Sequence, residues 1–239
     1  MKDIDAVILC GGLGKRLRSV VADRPKSLAQ VNNKPFLDIL IEYLASFGFR
    51  RFVLCIGYMA EAIRRHYERN FGPLKIVFSQ EDEPLGTGGA IKNAQLLIHS
   101  DPFLALNGDS FFKLDLWDFY KFHLTKKAIF SIALSKPKND KNSGVVLLDK
   151  NKKVIAFKEK AKPEKESYSN AGIYLMSRKI FQDMQDSRVF SLEYDIFPAL
   201  IGKGCYGYYG GDEFIDIGTP ENLAIAGDFL EKLKITHAG

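Results

Sequence analysis

AVILCGGLGKRLRSVVADRPKSLAQVNNKP, Ala6 to Pro35, runs from a short apolar segment straight into a glycine-rich, basic one. Ala6–Cys10 has strand length and no polar interruption, the signature of a strand covered on both faces. Gly11, Gly12 and Gly14 end it. The next convincing helix opens with Pro35 at a first helical position, carries Phe36, Ile39, Leu40, Tyr43 and Leu44 on one face, and stops at Gly48. About two dozen residues lie between strand and helix, where βα loops usually run roughly 2–6. A connection this long either carries function or folds into short elements of its own.

Outward from this stretch, apolar runs alternate with amphipathic ones. Strands are expected at Phe52–Ile56, Ile76–Phe78 and Phe103–Leu106, with helices near Ala60–Tyr67 and Gly89–Ile98. This is the pattern of a doubly wound, mostly parallel α/β sheet, which binds ligands beyond the carboxyl ends of its strands. After Asn107 the pattern changes. A helix near Leu116–Leu124 precedes strands at Ile129–Ser135, Val145–Leu148, Val154–Lys158 and Ile173–Met176. The turn Asp149–Lys153 joins the second and third of these. Helices follow near Ile180–Met184, Leu192–Ile201 and Glu221–Lys234, with a strand pair at Cys205–Tyr209 and Phe214–Asp216. The second half therefore continues the sheet and adds a small inserted β lobe. The charged stretch Lys158–Glu166 reads as a mobile loop. No repeat or linker divides the chain, so one domain over 1–239 is expected.

The 239 residues, 46% hydrophobic and 26% charged, exclude disorder and fibre and are enough to bury a sizeable core. Cys10, Cys55 and Cys205 form no CxxC or Cys/His spacing and read as buried thiols in a reducing cytoplasm. No apolar stretch approaches a membrane span, and the run after Met1 is too short for a signal peptide. Thirty-four basic residues against 29 acidic give +5, which favours anionic ligands but lacks the basic runs of a nucleic-acid binder. His66, His99, His123 and His237 share no spacing and read as structural or surface residues.

Within the first loop, Gly11, Gly12 and Gly14 let the backbone turn sharply and present N–H groups to an anion. Lys15, Arg16, Arg18 and Lys26 add charge, and the whole suits a polyphosphate. A Walker loop does not fit, because Leu9 stands at the first glycine position and Arg16 where Ser or Thr belongs. A dinucleotide fingerprint needs a small residue at Leu17 and fails there. Asp109 follows a strand and the pair Asn107-Gly108, which puts its carboxylate at the sheet edge where the first loop lies. Asp216 ends a late strand. Glu81, Asp82 and Glu83 form an acidic run with two readings, a solvated turn or, for Glu81, a hydrogen-bond acceptor for a ligand.

GGLGKRLR followed by Pro25-Lys26-Ser27 resembles the signature of the sugar-phosphate nucleotidyltransferases. The likeness continues through EDEPLGTGGAI at Glu81–Ile91, Asn107-Gly108-Asp109, NAGIY at Asn170–Tyr174, SLEYDIFP at Ser191–Pro198 and FIDIGTPE at Phe214–Glu221. Within that family, EPLGTGGAI and the short chain look most like the heptose 1-phosphate guanylyltransferases. The resemblance implies a Rossmann-like, GT-A-like fold and transfer of a nucleoside monophosphate, GMP first, from the triphosphate to a sugar 1-phosphate, feeding surface polysaccharide synthesis. It implies a nucleotide-binding part over about 1–115 and a sugar-phosphate part over about 116–239.

By the same resemblance, Arg16 and Lys26 are catalytic. Leu9, Gly11, Gly12, Gly14, Gln80, Glu81, Gly86, Thr87, Gly88 and Asp109 bind nucleotide. Gly144, Glu159, Lys160, Asn170 and Gly172 bind the sugar phosphate, and Asp109 with Asp216 holds Mg²⁺, whose preference for carboxylate and phosphate oxygens suits them. The partners implied are GTP and a sugar 1-phosphate, with no nucleic acid or membrane, on a monomer or homodimer. Mannose 1-phosphate guanylyltransferases and short uridylyl- or cytidylyltransferases are the alternatives within the family. A glycosyltransferase lacking a DxD motif, or a non-catalytic sugar-nucleotide sensor, is the alternative outside it.

Overall fold

Val7 packs against one apolar layer and its neighbours Ala6 and Ile8 against the other, so the first strand is covered on both faces, as its unbroken apolar run requires. The fold is that of a computed structural model, which describes residues 1–68, 72–137, 144–159, 161–162, 166–184 and 189–234. Its first half comprises β1 (Asp5–Leu9), β2 (Gln30–Val31), β3 (Lys34–Pro35), α1 (Phe36–Ser46), β4 (Arg51–Ile56), α2 (Ala60–Tyr67), β5 (Lys75–Gln80), α3 (Gly86–Asn93), β6 (Phe103–Asn107) and β7 (Ser110–Phe112). The second comprises α4 (Leu116–Lys126), β8 (Phe130–Ser135), β9 (Val145–Leu148), β10 (Val154–Lys158), β11 (Tyr168–Met176), α5 (Phe197–Leu200), β12 (Cys205–Tyr209), β13 (Phe214–Asp216) and α6 (Pro220–Lys232).

Along the main sheet the order is β10-β9-β11-β6-β1-β4-β5, with β8 pairing both β11 and β12. The β6-β1-β4-β5 block is parallel, and β11 enters antiparallel beside β6. The expected β lobe is β9 and β10, joined to this sheet through Tyr168 and Ser169 of β11. In the parallel block Leu9 stands opposite both Asn107 and Cys55, so the carboxyl ends of β1, β4 and β6 lie level. The loops that leave these ends face one another.

Several expectations shift. Pro35 lies in β3 and caps α1, which starts at Phe36, and α3 starts at Gly86 instead of Gly89. Cys205–Tyr209 and Phe214–Asp216 do not pair together: β12 joins β8, and β13 joins β7, three residues too short to show a period. Gly210 and Gly211, the latter at φ 127°, separate them. The expected helix Leu192–Ile201 is a π turn at Leu192–Ile196 followed by α5, and Arg178–Gln182 forms a 3₁₀ turn. Parts of the 158–166 stretch, and His237, lie outside the described residues. All three cysteines are free and buried.

His123, on α4, is 3% exposed, with Nδ1 2.9 Å from Ser131 Oγ of β8. Burial pushes its imidazole down to about 4, against a weak opposing pull from Asp101. An unfolded histidine titrates near ~6.5, so between these values the unfolded chain binds the extra proton and stability falls as pH drops. Acidification through this window should cost up to roughly 3 kcal/mol, read as a falling thermal midpoint. His123→Gln should flatten that fall; an unchanged pH slope in the variant assigns the acid sensitivity elsewhere.

Candidate active site

Between β1 and α1 the long loop folds into two 3₁₀ turns, Lys15–Leu17 and Lys26–Leu28, and the β2-β3 hairpin. Gly14 caps the first turn at φ 57°, a conformation most side chains avoid. Its turn anchors through the buried Leu17, which leaves Lys15 and Arg16 exposed at the mouth of a cavity of about 240 Å³. Leu9, Gly12, Gly14, Lys15, Arg16, Lys26 and Asp109 all line it.

At the floor of this cavity Lys26 Nζ donates to Asp109 Oδ2 and lies 3.7 Å from Asp216 Oδ1. Asp109 is delivered by β6, whose following residue Gly108 donates to Leu9 O at 2.9 Å. Asp216 is delivered by β13, and the Ile217 amide donates to Asp109 O at 2.9 Å. A methyl group on Gly218 would fall 2.6 Å from Asp216 Oδ1, 2.7 Å from Lys26 Nζ and 3.0 Å from Arg16 Nη2, which shows how closely these three groups converge. Burial and the neighbouring Asp109 lift the Asp216 carboxyl above its ordinary value, while Lys26 pulls it back. Two carboxylates sharing one ammonium leave unbalanced negative charge. That donor set fits Mg²⁺, which takes one or two carboxylates plus phosphate oxygens and water.

A second cavity of about 300 Å³ adjoins the first and shares Leu9, Gly12 and Asp109 with it. Gly11, Glu81, Gly86, Thr87 and Asn107 complete its wall. The acidic run divides here: Asp82 and Glu83 are exposed, while Glu81 is half-buried and accepts from the Leu85 amide at 3.2 Å. Burial raises the Glu81 carboxyl above its ordinary value. A methyl on Gly11 would meet Glu81 Oε1 at 2.5 Å. Gln80 is placed elsewhere: its side-chain oxygen accepts from Arg64 at 3.0 Å, and it lines neither cavity.

Of the sugar-phosphate residues, Gly144, Glu159 and Asn170 come together. The Asn170 amide donates to Gly144 O at 2.8 Å, and a methyl on Gly144 would fall 2.7 Å from Glu159 Oε2. Gly172, at φ 70°, lies against Asn107 of the second cavity, so the sugar wall and the nucleotide wall share this corner. Lys160 lies outside the described residues. Two side chains without an expected role also belong to the site. Ser27 lines the first cavity, and Glu193 accepts from Thr87 Oγ1 at 2.5 Å. Both fall inside motifs quoted above, so their positions were visible although their contacts were not.

A parallel sheet whose level strand ends carry a basic glycine loop and two remote aspartates defines a phosphate-handling α/β enzyme. The chain belongs to the nucleotidyl transferase family, whose model matches residues 5–232. It is 39% identical to the D-glycero-alpha-D-manno-heptose 1-phosphate guanylyltransferase of Aneurinibacillus thermoaerophilus over 92% of this chain and 95% of that one. Identity to the Campylobacter jejuni enzyme of the same name is also 39%, over 92% and 96%. The crystal structure of HddC from Yersinia pseudotuberculosis complexed with GMP-PN superposes with a TM-score of 0.79 at 35% identity, covering 94% of this chain and 98% of that one.

Among the described residues no group stands in hydrogen-bond geometry to the buried Ser27 Oγ. The Cys10 thiol bonds Ile8 O at 3.5 Å, and the Ser27 hydroxyl beside it pulls its strongly raised value down only weakly. An orphaned buried hydroxyl costs roughly 1–3 kcal/mol, which a ligand oxygen at the cavity wall would relieve. Ser27→Ala should therefore leave the thermal midpoint unchanged or higher while weakening nucleoside triphosphate binding several-fold by calorimetry. A lowered midpoint with unchanged binding would make Ser27 structural.

Proposed function

We propose that the protein transfers GMP from GTP to D-glycero-alpha-D-manno-heptose 1-phosphate, releasing GDP-heptose and pyrophosphate. The observation that carries the reading is the pair of adjoining cavities meeting at Asp109, one lined by cations and the other by Glu81 and a glycine-rich loop. A triphosphate fits the first and a base the second. The share of identity with the two heptose 1-phosphate guanylyltransferases supports the choice of sugar and base. The nucleotide part spans about 1–115 and the sugar-phosphate part about 116–239.

In the reaction a phosphate oxygen of the sugar 1-phosphate attacks the α-phosphorus in line. The new P–O bond forms as the bond to the β-phosphate oxygen breaks, and that electron pair leaves with pyrophosphate. The nucleophile is already ionised, so no general base is required and catalysis reduces to positioning and charge stabilisation. Lys26, held at the floor between Asp109 and Asp216, holds the α-phosphate and the incoming phosphate together as a point charge. Arg16, exposed at the mouth, meets the leaving pyrophosphate with its fork of donors. Asp109 and Asp216 would hold Mg²⁺, which when bound neutralises charge on the phosphates. Glu81 accepts guanine N1–H and N2–H, and Gly144, Glu159 and Asn170 form the sugar side. No helix among the described residues is long and apolar enough to cross a membrane, and the three reduced thiols suit a cytoplasmic enzyme that supplies surface polysaccharide synthesis.

The test is a matrix of four nucleoside triphosphates against heptose and mannose 1-phosphates with Mg²⁺, read as pyrophosphate release. GTP with the heptose 1-phosphate should give the largest kcat/KM. Release only with UTP or CTP rejects guanylyl transfer, and faster turnover of mannose 1-phosphate changes the sugar. In the productive pair, Arg16→Ala and Lys26→Ala should each lower kcat by about 10² or more, the scale on which transition-state donors register.

A further inference from the structure

The first turn of α3, Gly86–Gly89, and the corner Asn170–Tyr174 belong to two walls of the site, and both lead to Glu193. Thr87 Oγ1 accepts from the Leu192 amide at 2.9 Å and donates to Glu193 Oε2 at 2.5 Å. Ser191 Oγ accepts from the amides of Glu193 and Tyr194 at 3.1 and 3.3 Å and donates to the same oxygen at 2.7 Å. Just before them, Phe190 O accepts from both the Gly88 and Gly89 amides at 3.1 Å. One carboxylate oxygen therefore fastens the base loop.

From the other wall the direction of the bonds is fixed. The Gly172 amide can only donate, and it donates to Asn170 Oδ1 at 2.9 Å, so the Asn170 NH₂ faces Tyr174 and donates to its hydroxyl at 2.8 Å. That hydroxyl, fully buried, is left to donate to Glu193 Oε1 at 3.4 Å. Three hydroxyls converge on one carboxylate and satisfy both of its oxygens. Glu193 stands in the π turn Leu192–Ile196, an irregularity that helices carry mostly where function requires it.

We propose that Glu193 is a positioning residue that ties the nucleotide loop and the sugar-phosphate corner to one carboxylate, so that ordering either wall orders the other. Substrates would then bind with synergy, each raising affinity for the other by the same factor, as linkage requires. The roles of the two walls rest on the reading under Proposed function; the mechanical link does not. Glu193→Gln keeps the shape but replaces one acceptor oxygen with an NH₂ that opposes a hydroxyl donor.

The decisive experiment is hydrogen exchange on the protein without substrates, comparing it with Glu193→Gln. A charge-assisted bond of this kind corresponds to about tenfold or more in local opening, so exchange at Gly88, Gly89 and Leu192 and at Gly172 should all quicken by that factor. Faster exchange on one side only, or on neither, overturns the link whatever the protein's substrates are. Steady-state kinetics then read the consequence. The KM for GTP and for the sugar 1-phosphate should rise together with kcat less affected, and Asp195→Asn, two residues from Glu193 and with its carboxylate accepting from the Ser191 amide, should change neither KM. A rise in one KM alone also defeats the proposal, whereas no turnover in the unsubstituted protein counts against the guanylyltransferase reading alone.

Discussion

Lys26 Nζ rests between Asp109 and Asp216, and most of the fold exists in the arrangement that brings these three positions together. Asp109 reaches the cavity only because β6 lies in register beside β1, with the Gly108 amide bonded to Leu9 O. Asp216 reaches it because β13 pairs with β7 and the Ile217 amide then bonds Asp109 O. Partly buried ion pairs of this kind add little net stability, because desolvation cancels most of the attraction. The two acids would repel one another without Lys26, and Asp216 is already lifted by burial and by its neighbour. The cluster is thus better explained by the charges it must receive than by the folding it supports.

Elements with a strong local period were legible in the sequence. β9 and β10 match their apolar runs end to end, and α2 spans the Ala60–Tyr67 stretch read for it. What escaped was whatever depends on a distant partner. β7 is three residues long and exists because β13 covers it. The Leu192–Ile196 segment has a helical period, yet it forms a π turn whose Glu193 carboxylate is committed to Thr87 and Tyr174.

The site shows the same division. Arg16, Lys26 and Asp216 converge around Gly218 and Lys26 pairs with Asp109, four residues that motifs far apart in the chain contribute. Glu81 separates from Asp82 and Glu83 only through burial, a property that a run of three acids does not encode. Gln80, read with Glu81 as following a strand end, is instead the last residue of β5, and its side chain accepts from Arg64. Gly144, Glu159 and Asn170 share a corner through the pairing of β9, β10 and β11, which motif order implies but spacing cannot show.

Backbone accounting separates the two glycine-rich loops by role. Buried amides are nearly always bonded, and the amides of Gly88 and Gly89 at the start of α3 are already committed to Phe190 O. The helix N-terminus there cannot offer these two N–H groups to an anion. A methyl on Gly12, by contrast, would meet nothing within 4 Å, and it lies between Gly11 and the turn that carries Lys15 and Arg16. Open space beside backbone and cations is what a chain of phosphates needs. Charge follows the same division: the modest surplus of five across 239 residues says little, whereas Lys15, Arg16 and Lys26 gather at the first cavity.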